Sequence, residues 1–535
     1  MTAPDLTRSQ PQDQQEAEEG GLSRRQLLAG GTVGGLAALA GAGVIGYAWR
    51  GSPSPAKSQG TSSAASRVSP SAAAAGTHVY LSRPDLQPPV LSVAVSGTPA
   101  GIPAYVLLAN KPYKGPAGIG QRGLLIAERS GEPMWFSPNS QGQVLDLNVQ
   151  TYQGKPVLTW WHGETGGYYA NGNCYIADSS YRQIAEVRAG NGLMADMHEF
   201  NLTSQGTALV DCYQPRKTDL TAVGGKARAV ALSGVVQEID IATGDVVFQW
   251  SSLDHVPVTE TRTSLSGGFF GTGTAANPYD YFHVNSIAEA WDGDLLVSSR
   301  NTWTVYKIGR HDGAIKWRLG GSQSDFTLGP GVPFYWQHHV RSVGKNLITI
   351  FDNGSSPQQE PQSRGLLVRI DPEKMTATLE RAYTNPARLL ADNQGSMQLL
   401  PGNRAFVGWG AEPYFSEFDS DGSLLLNGSL PNGDQSYRAF TADWTGHPAD
   451  KPALVVKTSQ AKGVVAYVSW NGATEVAAWR LLAGKRAASL DVVATQPRAG
   501  FETMIGANTA GRYFAVAAYD SSGKQLGQSA VIRSA

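Results

Sequence analysis

HVNSIAEAWDGDLLVSSRNTWTVYKIGRHDGAIKW, residues 283–317, is the stretch that decides the fold. Two apolar runs flank Asp292-Gly293, two more flank Asp312-Gly313, and Trp317 closes the unit. Short runs rich in β-branched and aromatic residues, broken by Asp-Gly turns, read as antiparallel hairpins. Both halves of the unit recur. His338-to-Phe351 and Ser396-to-Trp409 repeat the first half; Val236-to-Trp250, Leu124-to-Trp135 and Tyr414-to-Leu425 repeat the second. A four-strand unit returning about every 55 residues is the signature of a propeller blade. Roughly six such units fit between residues 80 and 448. The expectation is an all-β chain whose body is a six-bladed β-propeller over 80–448; an irregular array of β-sandwiches is the competing architecture.

Outside this body the pattern changes. Val468-Ser469-Trp470, Val476-to-Trp479 and the alternating Tyr513-to-Tyr519 predict a small sandwich of fibronectin type III or immunoglobulin-like kind over 449–535. It carries no clustered catalytic groups and reads as a packing or adhesion appendage. Residues 50–79 are mostly Ser, Ala, Gly, Pro and Thr, too poor in apolar surface to fold, and read as a disordered tether. Residues 1–49 hold Ser23-Arg24-Arg25-Gln26-Leu27-Leu28 followed by a Gly/Ala-rich apolar run to Trp49. That is the pattern of a twin-arginine export signal. The protein is therefore expected to pass through the Tat translocase to an extracellular or cell-surface location. The run from Leu27 to Trp49 is also long enough to stay as a membrane anchor. Cleavage and anchoring are both open at this stage.

The 535 residues are 41% hydrophobic but only 16% charged, with 62 Gly and a formal net charge of −1. Low charge and many turns suit a β protein, and the near-zero balance offers no field for nucleic acid. Only Cys174 and Cys212 are present. An exported location permits a disulfide, but the sequence leaves the pairing open. No phosphate loop, dinucleotide fingerprint or Gly-x-Ser-x-Gly elbow occurs, and no cofactor is expected.

Three of the nine histidines open the first strand of a unit: His198 in Asp196-Met197-His198-Glu199-Phe200, His283 in Tyr281-Phe282-His283-Val284-Asn285, and His338 in Trp336-Gln337-His338-His339. In a propeller the first strands line the central channel, so residues distant in sequence converge on one axial pocket. Arg300 ends a strand one hairpin from His283. A guanidinium beside histidines keeps them neutral and offers planar donors to an anion. Such a pocket suits a sulfate or phosphate group. Three histidines are also a metal ligand set, though a neighbouring Arg opposes a cation. A lone histidine is more often a structural hydrogen-bond partner; three at equivalent positions favour a site. Neighbours on a strand point to opposite faces, so only one of His338 and His339 can enter the channel.

Several segments resemble the arylsulfotransferase family. They are Asp146-to-Trp161 (DLNVQTYQGKPVLTWW), Asp196-to-Phe200, Tyr279-to-Asn285 (YDYFHVN), Ser299-to-Trp303, Trp336-to-His338, Phe351-to-Gly354 and Val407-to-Pro413. The resemblance runs through residues 140–445 in family order and is closest to the actinobacterial and fungal-type branch. It implies a six-bladed propeller that moves a sulfuryl group from a phenolic sulfate donor to a phenolic acceptor without a nucleotide sulfate donor. His338 is similar to the family's nucleophile, which becomes a sulfohistidine. His283 and Asn285 match a His-x-Asn pair that holds sulfuryl oxygens, Arg300 resembles an oxygen-binding arginine, and His198 a further histidine near the donor oxygen. His339 departs from the branch, where Asp is expected. Trp336, Tyr281 and Tyr335 are candidate stacking surfaces for aryl rings. The competing functions are a non-catalytic cell-surface binding module and a metal-dependent propeller hydrolase or lyase.

Overall fold

The structure is a computed structural model that describes residues 76–534, apart from 113–119, 167–168, 267, 432 and 460–462. The twin-arginine segment, the apolar run and most of the tether lie outside the described residues. Residues 76–79, expected in the tether, are paired: Thr77 bridges Pro89, and the His78 amide donates to Pro88 O at 3.0 Å.

Among the described residues the regular elements are almost all strands; the one α-helix, Ser252–His255, is a single turn. Six sheets of four or five strands follow one another, antiparallel except where Thr327–Leu328 pairs parallel with Thr376–Tyr383 at the outer edge of the fifth. Sheet two opens with Gln143–Tyr152, sheet three with Phe200–Leu202, sheet four with Val284–Glu289, sheet five with His338–Gly344 and sheet six with Ser396–Leu400. Sheet four is the stretch quoted above, with strands Val284–Glu289, Leu295–Ser299, Thr304–Ile308 and Ile315–Gly320 in that order. Sheet one is different. Its first strand, Asp434–Ala442, comes from the far end of the chain and pairs antiparallel with Tyr105–Pro112. Ser92–Val95 likewise adds an outer fifth strand to sheet six.

An apolar core lies between each pair of consecutive sheets. Leu107 and Ile126 of sheet one meet Val144 and Leu158 of sheet two. Trp161 and Ile176 of sheet two meet Ala208 and Ile239 of sheet three. Val236 and Trp250 of sheet three meet Leu295, Val297 and Tyr306 of sheet four. Leu296 and Leu319 of sheet four meet Ile350 and Val368 of sheet five. Phe351 of sheet five meets Met397 and Trp409 of sheet six. Phe406 and Leu426 of sheet six return to Val106 and Leu125 of sheet one. Within one strand the faces alternate, so Leu295 and Val297 point to sheet three while Leu296 points to sheet five. With both faces covered, the strand reads as a continuous apolar run rather than an alternating one. Truncating Leu296, which is fully buried, would leave a cavity and cost about 2–5 kcal/mol.

Beyond Trp444 two further sheets share one core. One holds Ala453–Ser459, Gly463–Ser469 and Glu502–Ala507; the other is built on Ala478–Arg486 and Tyr513–Tyr519. Val468, Trp479, Leu481, Ile505, Phe514 and Val516 fill the space between them. Asn471 docks this region on sheet one, accepting from the Phe136 amide and donating back to Phe136 O, both at 2.9 Å. Cys174 and Cys212 are buried free thiols.

Candidate active site

The ends of the first strands bring His198, His283 and His338 together, as the sequence predicts. One ring nitrogen of each lies within 4.8 Å of those of the other two. The His198 ring is 4.9 Å from that of His283 and 6.5 Å from that of His338, centroid to centroid. With Met197, Phe269, Phe270, Asp280, Arg300, Asn393 and Gln394 they line a cavity of about 250 Å³.

Each imidazole is oriented through Nδ1. His283 Nδ1 donates to Asp280 Oδ2 at 2.6 Å, and His198 Nδ1 bonds Asp196. His338 Nδ1 bonds Asn353 Oδ1 at 2.7 Å. The Asn353 amide donates to Ala391 O and Gln394 O at 3.1 and 2.9 Å, so its oxygen faces the ring and Nδ1 of His338 carries the proton. Nε2 of His338 then holds a lone pair, and the Gln394 main-chain N–H points at it from 3.2 Å. Burial, the Arg300 guanidinium and His198 hold His338 well below the usual histidine range. Burial also lowers His283, against the pull of Asp280. His338 is therefore a neutral base at neutral pH, oriented by a neutral amide.

Arg300 leaves its strand beside His283, its amide donating to His283 O at 2.9 Å. Its guanidinium donates to Asn301 Oδ1 and Asp392 O and lies 4.8 Å from the Trp336 ring centroid. Burial pulls it down to about 10, which leaves it a cation at neutral pH.

The backbone around the cavity is strained. His283, Trp336, His339 and Gln394 are non-glycine residues at φ of +56°, +57°, +48° and +64°. Gly395 follows at φ +103°, and a Cβ there would meet the Phe351 ring at 2.3 Å. Only glycine lets the 393–395 segment come this close to the histidines.

Not every expected residue reaches the cavity. His339 turns away, packing on Phe440 and the Met397 backbone, so His338 is the inward member of the pair. Asn285 is buried beside the site but donates to Gln337 O at 2.7 Å. Tyr281 does not line the cavity: its ring is in the core between sheets three and four and its hydroxyl donates to Val256 O. Tyr335 packs edge-on against Trp303. Trp336 acts at one remove, stacked on Phe270 and beneath Arg300. The aromatic wall is instead Phe269 and Phe270, from the insert between sheets three and four. That insert breaks the repeat, so no periodic signal marks it. Asp196, Asp280 and Asn353 were also missed as orienting groups. Their signal is a carboxylate two or three residues before a histidine, and the Asn of Phe351-Asp352-Asn353-Gly354.

Fold and site together define a class: an all-β protein with a pocket lined by three histidines, one arginine and two phenylalanines. A family model described as Arylsulfotransferase (ASST) matches residues 148–430. This chain belongs to the arylsulfotransferase family, which supports aryl sulfotransferase activity in general. No curated protein matches the chain. Among solved structures it is similar to a protein of unknown function from Bacteroides caccae (12% identity, 63% of this chain and 98% of that one, TM-score 0.36). It is also similar to a catalytically inactive virginiamycin B lyase from Staphylococcus aureus (9%, 71% and 97%, TM-score 0.32) and to the Myceliophteria thermophila Cps50 β-propeller domain (12%, 71% and 98%, TM-score 0.31). At these scores nothing about activity passes from them to this chain.

Proposed function

We propose that the protein is an aryl-sulfate sulfotransferase working through a sulfohistidine at His338. The observation that carries the reading is the neutral, Nδ1-protonated His338, with its Nε2 lone pair at a cavity shared with Arg300 and an aromatic wall. His338 Nε2 attacks the sulfur of a phenolic sulfate ester. The N–S bond forms as the S–O bond to the phenol breaks, and the electron pair leaves on phenoxide. His198, held by Asp196, is placed to hand a proton to that oxygen, while neutral His283, its Nδ1–H on Asp280, lines the cavity beside it. Arg300 faces the charge that spreads over the sulfuryl oxygens. After attack the ring is an N-sulfoimidazolium whose Nδ1–H still meets the neutral Asn353 oxygen. Keeping that proton keeps imidazole a good leaving group for transfer to an acceptor phenol. The cavity of about 250 Å³ sits below the roughly 300–1,000 Å³ of drug-sized sites. It favours one arene at a time, which a stored sulfuryl group allows.

The six sheets are read here as blades of a closed six-bladed propeller, supported by a core between every consecutive pair, sixth and first included. The two C-terminal sheets are read as a fibronectin type III-like sandwich. The twin-arginine motif supports Tat export to the cell surface or exterior.

The test is release of phenol from 4-nitrophenyl sulfate with and without an added phenol, in the wild type and His338→Ala. Full turnover by His338→Ala would contradict the assignment. A metal-dependent reading has one observation behind it: three close ring nitrogens, two of them on rings held by carboxylates, as metal-ligating histidines are. It predicts loss of activity with a chelator and stoichiometric metal in the purified protein.

A further inference from the structure

Asn393 and Gln394 line the histidine cavity just before Ser396–Leu400 opens sheet six. The main chain of this segment is tied to the fold at three points. Asn393 O accepts from the Ala411 N–H at 3.1 Å, Gln394 O accepts from Asn353 Nδ2 at 2.9 Å, and the Gly395 N–H donates to Tyr437 O at 3.0 Å. The Gln394 N–H has a different partner: it meets no carbonyl and points at His338 Nε2 from 3.2 Å.

Two observations show that this placement is built. Asn353 holds both partners. Its Oδ1 meets His338 Nδ1 at 2.7 Å while its Nδ2 holds Gln394 O, so one side chain fixes the nucleophile and the peptide relative to each other. Two glycines make the room. Gly395 admits no Cβ against Phe351, and a Cβ on Gly410 would come within 2.6 Å of Asn393 O, Gln394 C and Gly395 N. Two glycines, an asparagine and a strained Gln394 at φ +64° together bring one N–H to the nucleophilic nitrogen.

That contact ends when the reaction begins. Nε2 has one lone pair, and the N–S bond uses it. The N–H then needs another acceptor, and the acceptors that arrive with the sulfur are the sulfuryl oxygens. Asn285, expected to hold those oxygens, donates to Gln337 O instead. Resting on the sulfotransferase reading, we propose that the Gln394 main-chain N–H is a catalytic group. It leaves His338 Nε2 as the N–S bond forms and donates to a sulfuryl oxygen, sharing with Arg300 the charge that develops there. A peptide held at three points needs little reorganisation when that charge appears. The rival role for the same contact is a cap that only shields the resting lone pair, and the two roles are opposite in sign.

The test replaces Gln394 in the full chain by its α-hydroxy acid, which turns this one N–H into an ester oxygen and keeps the side chain. The rate of SO₃ gain on mixing with 4-nitrophenyl sulfate is followed by mass spectrometry, with the urea midpoint as the check on folding. Loss of a transition-state donor predicts a fall of roughly 10²-fold or more with the midpoint near wild type. A rate equal to or above wild type makes the N–H a cap and overturns the proposal. Where the ester chain is unfolded or its midpoint falls, the wild type decides. A carbonyl-carbon label on Asn and an amide-nitrogen label on Gln isolate the amide of the one Asn-Gln pair in the sequence. On sulfation its proton should move downfield, as for a donor to an anionic oxygen; no movement, or movement upfield towards an unbonded amide, overturns the proposal. A wild type that neither gains SO₃ nor releases nitrophenol overturns the sulfotransferase reading, and the proposal with it.

Discussion

Two buried polar clusters lie side by side among the first strands, and they are built on opposite principles. In one, Arg438 donates to Asp146 and Glu199 and to the carbonyls of His198 and Asn285, while Arg341 pairs with Glu199. These residues belong to the first strands of sheets one, two, four and five and to the entry of sheet three, so the Arg438 guanidinium ties four sheets and Arg341 adds the fifth through Glu199. Its charges are matched, and both terminal nitrogens of Arg438 are engaged. In the other, His283 and His338 are kept neutral, the backbone is strained, and Arg300 has no carboxylate salt bridge among the described residues. The comparison teaches that burial alone does not mark a site. A cluster whose buried charges pair with one another holds the fold; a cluster of neutral imidazoles beside a cation without a paired carboxylate awaits a ligand.

The strongest way to break the comparison is to exchange the consequences of mutation. His338→Ala should lower kcat with an aryl sulfate by roughly 10³-fold or more, while the urea midpoint stays close to wild type. Arg438→Met should do the reverse first. Leaving Asp146 and Glu199 short of a cation should cost about 3–5 kcal/mol in urea unfolding. If Arg438→Met were as stable as wild type, the matched cluster would not be structural. Next, Arg300→Lys keeps the charge but loses the planar fork; kcat/KM should fall roughly 10²-fold with little change in stability.

A smaller effect separates the clusters by pH. His283, His338 and His339 all have folded-state pKa values below the ordinary 6.5. Above that value neither folded nor unfolded chain protonates them, and stability is complete. As pH falls through 6.5 the unfolded chain takes up protons the folded chain refuses, so stability drops, at most about 1.4 kcal/mol per pH unit for each group. Urea midpoints at pH 7.5 and 5.5 should show the loss, and His339→Gln, outside the cavity, should reduce it. The smallest expectation concerns Cys174 and Cys212. Both are buried thiols whose pKa burial raises well above the usual range. Neither should react with a thiol reagent before unfolding, and a reductant should leave the melting temperature unchanged.

Much of this was legible in the sequence, for a physical reason. Sheet four is regular, so its Asp-Gly turns and closing Trp317 announce it, and equivalence between repeats places His198, His283 and His338 together. What repetition does not encode was not legible. The pairing of Asp434–Ala442 with Tyr105–Pro112 joins strands more than three hundred residues apart, and neither carries a local mark of its partner. Phe269 and Phe270 lie in an insert with no counterpart in the other sheets. Tyr281 looked like a substrate platform because it neighbours His283, but its ring is in the core between sheets three and four. The direction of His338 and His339 was decided by the core between sheets, where His339 finds Phe440 and the Met397 backbone.

The most direct test of the account is intact-protein mass spectrometry of the full chain, quenched soon after mixing with 4-nitrophenyl sulfate and no acceptor. The account predicts a gain of one SO₃ unit, absent in His338→Ala and discharged when a phenol is added. Nitrophenol release by the wild type with no mass gain under any quench would contradict the sulfohistidine at the centre of it.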